Sequence, residues 1–397
     1  MSSNTFTEIT TQSWGSRLKD SIGGIFFGII MVIASFILLF WNEGRAVKRA
    51  QALEEGAASV ISVSSLEIDP ANEGKLVHVT GETQTSEILS DSNFKVSQKA
   101  IQLTRSSEMY QWEEKKESKT KEKVGGKKET TTTYTYRKVW SAAAIDSSNF
   151  KKPDGHDNPG GILYPQESRQ AEEVKLDAFM LTSSQISSIS GFQPLALPHD
   201  VLDTIPLENH SKFQIEGNTL YYGKDPSNPE IGDLKIQFSY IPPGQTISVI
   251  AQQKGNTFLP YVAKSGSQID LLSSGALTAE AMFQSEMRSN TILTWVIRIG
   301  GFFLMFIGFR VMFNIFRTLA AVVPFIAKIV GFGLSLLSGL LAASFTLLTI
   351  AIAWLFYRPL LSIILIVVVV IILAAVRMLK KNKQEASFVP PPPTVQT

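Results

Sequence analysis

Apolar positions crowd the two ends of the chain. Ile22 to Trp41 (IGGIFFGIIMVIASFILLFW) carries no charge, and as a helix about 20 such residues span a hydrocarbon core of about 30 Å. The stretch starts late for a signal peptide, and Asn42-Glu43-Gly44-Arg45 follows where a small-residue cleavage site would stand, so it predicts a retained anchor over 22–41. A second apolar block predicts three further spans, 291–310, 331–356 and 359–376. Arg298 interrupts the first of them, and Tyr357-Arg358-Pro359 makes a turn between the last two, since proline removes a backbone donor. Over 311–330 the polar or tolerant positions Asn314, Arg317, Ala321, Pro324 and Lys328 recur every three or four residues among Phe313, Phe316, Phe325 and Ile326. This periodicity predicts an amphipathic helix lying in the membrane interface, kinked at Pro324. Continuation of the flanking spans is the plainer alternative.

Residues 42–290 form a connection of roughly 250 residues, too long to lack structure of its own. Its pattern shifts to period two. Lys75 to Gly81, Gly232 to Tyr240 and Thr246 to Gln252 read as strands, the last after the Pro242-Pro243-Gly244 turn. Leu181–Ile189 and Ala279–Arg288 read as helical. Gln111 to Trp140 reads as a long hairpin with Trp112, Tyr134, Tyr136 and Trp140 on its stem and a charged tip around Gly125-Gly126. Glutamates dilute the lysines there, so the tip is expected to be solvated and mobile rather than a basic docking patch. The predicted class is an α+β membrane protein with four transmembrane helices, a large strand-rich extracytosolic domain between the first and second, and the in-plane helix.

Charge sets the expected orientation. Arg17 and Lys19 precede the first span, Arg310, Arg317 and Lys328 follow the second, and Arg377, Lys380, Lys381 and Lys383 follow the last. These groups all face the cytosol if the 1–21 segment and the 377–397 basic, Pro-rich tail do. Arg45, Lys48 and Arg49 oppose this but begin a long loop, which translocates largely regardless of charge. Arg317, Lys328, Arg377, Lys380 and Lys381 are the expected contacts to anionic headgroups, at about 1 kcal/mol each near the surface.

Composition narrows the chemistry. The 397 residues are 44% hydrophobic and 18% charged with a formal net charge of +2, which argues against a nucleic-acid partner. The absence of cysteine excludes disulfides and thiolate chemistry. No phosphate-binding loop or nucleophile elbow occurs. His78, His156, His199 and His210 lack metal-site spacing and read as surface or turn residues, so no cofactor, metal or catalytic residue is expected. Arg298 is the one ionisable residue well inside a predicted span, placed to snorkel outward, which disfavours a pump or channel. Small residues mark helix-packing faces at Gly24 and Gly28, at Gly301, and at Ser335, Gly339 and Ala343, within one chain or between chains.

Several motifs, taken in order, resemble the LUMA (transmembrane protein 43) family. They are Ser13-Trp14-x-x-Arg17, Asn42-Glu43-Gly44-Arg45-Ala46, Met109-Tyr110-Gln111-Trp112, Tyr134-x-Tyr136-x-x-x-Trp140, Gly232-Asp233 and Ser248-Val249-Ile250-Ala251-Gln252. Asn290-x-x-x-Thr294-Trp295-x-x-Arg298-x-x-Gly301 and Trp354-Leu355-Phe356-Tyr357-Arg358-Pro359 complete the set. The resemblance implies four spans with a luminal or periplasmic domain. It also implies residence in the endoplasmic reticulum and inner nuclear membrane for a eukaryotic chain, or the cytoplasmic membrane for a bacterial one. Self-association and binding to envelope proteins belong to the same expectation, and no catalytic residues carry over. The expected function is a non-enzymatic scaffold that self-associates and organises membrane protein complexes, with membrane lipids, further membrane proteins and a homo-oligomer as partners. A lipid-binding or lipid-sensing protein and a membrane enzyme with an unrecognised site in the external domain are the alternatives.

Overall fold

The structure is a computed structural model that describes residues 4–197, 201–202, 205, 212–359 and 363. The chain divides into two compact units. One comprises Met1–Arg17, Ala50–Ser289 and Ala321–Pro324; the other comprises Leu18–Arg49, Asn290–Ala320 and Phe325–Thr397.

Strands dominate the first unit, as the period-two segments predict. An eight-stranded sheet contains β1 (Thr5–Gln12), β6 (Gln102–Glu122), β7 (Lys128–Ser141), β8 (Glu167–Gln170), β11 (Gln193–Pro194), β12 (Phe213–Glu216), β13 (Thr219–Tyr222) and β14 (Leu234–Ile241). Its order is β1-β7-β6-β14-β13-β12, with β8 on β6 and β11 on β14. A seven-stranded sheet contains β2 (Ile61–Val63), β3 (Leu76–Gln84), β9 (Lys175–Leu176), β10 (Phe179–Met180), β15 (Thr246–Lys254), β16 (Thr257–Leu259) and β19 (Leu271–Ser274). Two small ladders, β4 (Ile88–Ser90) with β5 (Ser97–Lys99) and β17 (Tyr261–Val262) with β18 (Gln268–Ile269), complete the unit. Inward side chains of both sheets meet in one core: Val77, Val79, Val249 and Phe258 from one, Leu103, Met109, Ile236 and Phe238 from the other. A short helix, α2 (Ser183–Ser188), starts at a capping box in which Thr182 and Gln185 satisfy each other's backbone donors.

The Gly232-Asp233 pair has a local cause. The Asp233 carboxylate accepts from the Tyr221 hydroxyl at 2.5 Å and from the Glu230 amide at 2.8 Å, and burial beside it raises the tyrosine pKa. Gly223 (φ +153°) lies against that carboxylate with no room for a Cβ.

The predicted hairpin is present and longer than its aromatic stem suggested. β6 and β7 pair in register from Met109 with Ser141 to Glu122 with Lys128. Its tip is not a free loop. Arg17 forms an ion pair with Glu122 at 2.9 Å and donates to the Gly126 carbonyl at 2.7 Å. Trp14 packs on Gly126, and the Gly125 amide donates to the Val322 carbonyl at 3.1 Å. The expectation missed β1, whose eight residues pair antiparallel with β7, Thr5 with Thr135 through Gln12 with Lys128.

Three helices are long and apolar enough to cross a membrane: α1 (Trp14–Ser59), α3 (Ala279–Ala320) and α4 (Pro324–Tyr357). α1 and α3 extend well beyond the expected 22–41 and 291–310, because polar residues at their ends are helix-compatible and no proline stops them. No separate helix covers 311–330. α3 continues through Ala320, residues 321–323 turn, and α4 begins at Pro324, where a missing N–H costs nothing. Nor do the polar positions of that stretch share one wet face: Ala321 is fully buried and Arg317 half-buried, while Asn314 and Lys328 are exposed. The expected span 359–376 and the tail residues Arg377, Lys380 and Lys381 lie outside the described residues, apart from positions 359 and 363.

His78, on β3, is buried rather than a surface residue. Its Nε2 lies 2.9 Å from the Leu277 carbonyl and its Nδ1 3.1 Å from the Ser62 hydroxyl, contacts that fit the neutral ring donating through Nε2. Burial lowers its pKa, so the unfolded chain binds this proton more readily than the folded one. Stability should therefore be full above the unfolded value of about 6.5 and fall as pH drops through it. Chemical denaturation between pH 7.5 and 5 should show this loss, and His78→Gln should flatten it.

Candidate functional site

The helix unit is packed through small residues. A Cβ on Gly28 would lie 2.5 Å from Met312 Cγ and 2.6 Å from the Gly308 carbonyl, and one on Gly301 would lie 2.6 Å from Leu39. Gly24 faces Val311 in the same way. These glycines of α1 and α3 are used inside one chain, letting the two backbones touch. Leu39, Met305, Phe309 and Ala342 are the buried centre of the bundle, with Phe36, Phe306 and Phe345 against them. On α4 the buried positions are Ala327, Ser338, Ala342, Thr346, Thr349 and Ala353. Ser335, Gly339 and Ala343 form the adjacent row and are only half-buried.

At one level of this bundle sits a buried polar cluster. Glu43 lies two residues beyond the apolar run of α1 and is almost fully buried. Its carboxylate accepts from Arg298 Nε at 2.6 Å, Arg298 Nη2 at 2.8 Å and Trp354 Nε1 at 2.8 Å. The Arg298 guanidinium stands over the Trp295 ring at 4.9 Å and the Trp354 ring at 6.0 Å. A second layer lies beside it. Arg45 donates to Asn290 Oδ1 at 3.0 Å, Thr294 Oγ1 at 3.1 Å and Asn42 Oδ1 at 3.3 Å. Asn42 donates to the Thr294 carbonyl at 3.2 Å, and Asn290 donates to the Ala46 carbonyl at 2.9 Å. The Asn42-Glu43-Gly44-Arg45 and Asn290…Thr294…Arg298 motifs are thus two halves of one network, and Gly44 leaves room for the Tyr357 ring.

Arg298 does not snorkel. A carboxylate from the neighbouring helix neutralises it in place, which a planar guanidinium fork suits better than a lysine would. Reading 22–41 as the whole first helix hid Glu43 by placing it in a loop. The signal available was a lone acid at the edge of an apolar run, facing a lone base in another. With three donors on one carboxylate and aromatic faces on the guanidinium, the arrangement locks the helices together.

Other expected positions fall elsewhere. Arg317 is half-buried against Gly331, and Lys328 is exposed. His156 is not a surface residue: it is buried, stacked on Tyr136 at 4.0 Å and edge-on to Trp112 at 4.8 Å. The Tyr136 hydroxyl donates to Glu114 Oε2 at 2.7 Å, and burial pushes its pKa up to about 12. His199 and His210 lie outside the described residues. Among the described residues no cluster of histidine, aspartate and glutamate is placed to hold a metal ion.

Removing one partner of a buried pair strands the other charge, which costs about 3–5 kcal/mol. Arg298→Met should therefore lower the thermal unfolding temperature of the detergent-solubilised protein sharply. The Glu43→Gln/Arg298→Met double variant should recover most of that loss, as followed by tryptophan fluorescence or calorimetry.

Residues 109–359 match the profile of the transmembrane protein 43 family. Transmembrane protein 43 of Rattus norvegicus is 37% identical over 355 residues, covering 87% of each chain, and the Homo sapiens protein gives the same values. The Drosophila melanogaster homolog is 31% identical over 341 residues, 84% of this chain and 89% of that protein. No solved structure matches. With relatives aligned over most of its length and a family profile that covers the later part of the strand-rich domain, α3 and α4, the chain is a membrane protein that belongs to the transmembrane protein 43 (LUMA) family.

Proposed function

We propose that this protein is a non-enzymatic membrane scaffold that associates with copies of itself and with other membrane proteins through helix faces its own bundle leaves open. The observation that carries this reading is the contrast between two small-residue faces. Gly28 has no room for a single added carbon, whereas a Cβ on Gly339 would meet only Phe306 Cε2, at 3.8 Å. Ser335, Gly339 and Ala343 are half-buried beside the packed row of α4, and Phe332, Leu336, Leu340 and Leu347 around them are exposed. A small-residue row with free space, set among large apolar side chains, is what a second helix needs to approach closely in lipid.

The role of the polar cluster follows. It holds α1, α3 and α4 in fixed register, so that the face offered to a partner keeps its shape. The scaffold reading makes no use of a catalytic group.

Particle mass in detergent, by light scattering or native mass spectrometry, tests this. The wild-type chain should form a discrete oligomer, and Gly339→Leu should shift it toward the monomer with little change in unfolding temperature. Gly28→Leu should instead lower the unfolding temperature of the protomer. A wild-type monomer, or an oligomer indifferent to Gly339→Leu, would contradict the reading.

A further inference from the structure

Arg45 is a cation that the polar cluster holds without neutralising. Glu43, two residues before it, has its carboxylate taken up by Arg298 and Trp354. The acceptors of Arg45 are three neutral oxygens, on Asn290, Thr294 and Asn42. Of the five N–H donors of a guanidinium, the one on Arg45 Nε is buried without a hydrogen-bond partner. An unmet donor on a charged group calls for an explanation.

The three oxygens are set in place by their own bonds. The Thr294 hydroxyl gives its proton to the Asn290 carbonyl at 2.6 Å. Asn42 donates to the Thr294 carbonyl, and Asn290 to the Ala46 carbonyl. Asn42 and Thr294 are buried, and Arg45 itself is half-buried. The guanidinium is therefore oriented in advance while its charge stays available, which is what recognition of an external anion needs.

The level of the site along the helix says which anion. Ile22 to Trp41 is an uncharged run of 20 residues, about 30 Å of helix, which matches the hydrocarbon core. Arg45 follows four residues later, about 6 Å further along the axis, in the headgroup layer. Trp41 lies one turn before Arg45 on α1, and Trp295 follows Thr294 on α3; both are exposed. Exposed tryptophans mark the headgroup level of a bilayer. On the hydrocarbon side, Ile37 of α1 and Val296 and Ile299 of α3 are also exposed, giving acyl chains an apolar surface beside the charge.

We propose that Arg45 binds the phosphate of a membrane phospholipid, in a site between α1 and α3 bordered by Trp41 and Trp295. The phosphate supplies the negative charge that the cluster lacks, and the acyl chains lie on the adjoining apolar surface. The site accounts for a base in Asn42-Glu43-Gly44-Arg45 that stands against the orientation favoured by the other basic groups. It is independent of self-association.

The full chain, purified in detergent and stripped of lipid, is titrated with dimyristoyl phosphatidylglycerol or with dimyristoylglycerol, which has the same chains and no phosphate. Bound lipid is counted by native mass spectrometry. Phosphatidylglycerol should bind saturably and dimyristoylglycerol far more weakly, and inorganic phosphate should not displace the bound phospholipid. Arg45→Met should raise the half-saturating concentration about tenfold, the equivalent of one charge-assisted hydrogen bond. Trp41→Ala/Trp295→Ala, which leaves the Arg45 contacts intact, should weaken binding in the same direction, while Ile30→Ala, further along the exposed face of α1, should titrate as wild type. Equal binding of dimyristoylglycerol would overturn the proposal, as would equal weakening by Ile30→Ala. Displacement by inorganic phosphate would show a site for a free anion and overturn the lipid assignment. If Arg45→Met does not fold, the double tryptophan variant and the dimyristoylglycerol comparison decide: wild-type titration by that variant contradicts the site.

Discussion

Eight residues of backbone pairing between β1 and β7 fasten the start of the chain to the far end of the β6–β7 ribbon, and the strand-rich unit is built around that ladder. The ladder satisfies polar groups that lipid would leave unpaired, at several kcal/mol for each unsatisfied group. Because α1 follows β1 after a single residue, Ser13, which caps the helix, the ladder also fixes where α1 begins. The burial of Ala52 and Leu53 fixes where it ends.

Pairing of buried charges recurs in both units. In the helix unit, Glu43 takes three hydrogen bonds from two other helices. In the strand-rich unit, Arg105 is held by both oxygens of Asp91, at 2.7 and 2.6 Å, with Glu167 and the Pro165 carbonyl taking its remaining donors. Asp91 also caps the amides of Asn93 and Phe94, fixing the β4–β5 turn on which Phe94 enters the core. Replacing such a pair by apolar groups of matching shape is often neutral, while breaking it is expensive. What these pairs supply is a single geometry: each charge has one place where its partners are.

The apolar helices, the strands β3, β14 and β15 and the long hairpin were legible in the sequence because each is a local periodicity, whereas Pro324, read as a kink inside one helix, in fact begins α4. The resemblance to the LUMA family was legible in motifs whose order matters. What was not legible depends on contacts far apart in the chain. β1 is a Thr-rich octet whose register partners lie between 116 (Gln12 with Lys128) and 130 (Thr5 with Thr135) residues away. Glu43 and Arg298 each look like a residue at the margin of a span until the helices are set side by side. Gly24, Gly28 and Gly301 were recognisable as packing positions, but only the structure shows that one chain uses them itself. The row at Ser335, Gly339 and Ala343 lies one residue out of phase with the row that is packed.

Amide hydrogen exchange on the full chain in lipid nanodiscs, read by mass spectrometry, tests the pairing on which this architecture rests. Thr5–Gln12 should be protected to the same degree as Lys128–Thr135, and removing residues 1–12 should speed exchange in Lys128–Thr135 while leaving β14 and β15 protected. Exchange of Thr5–Gln12 at the rate of an unstructured peptide, beside a fully protected ribbon, would show that the N-terminal segment is not joined to the domain in the membrane.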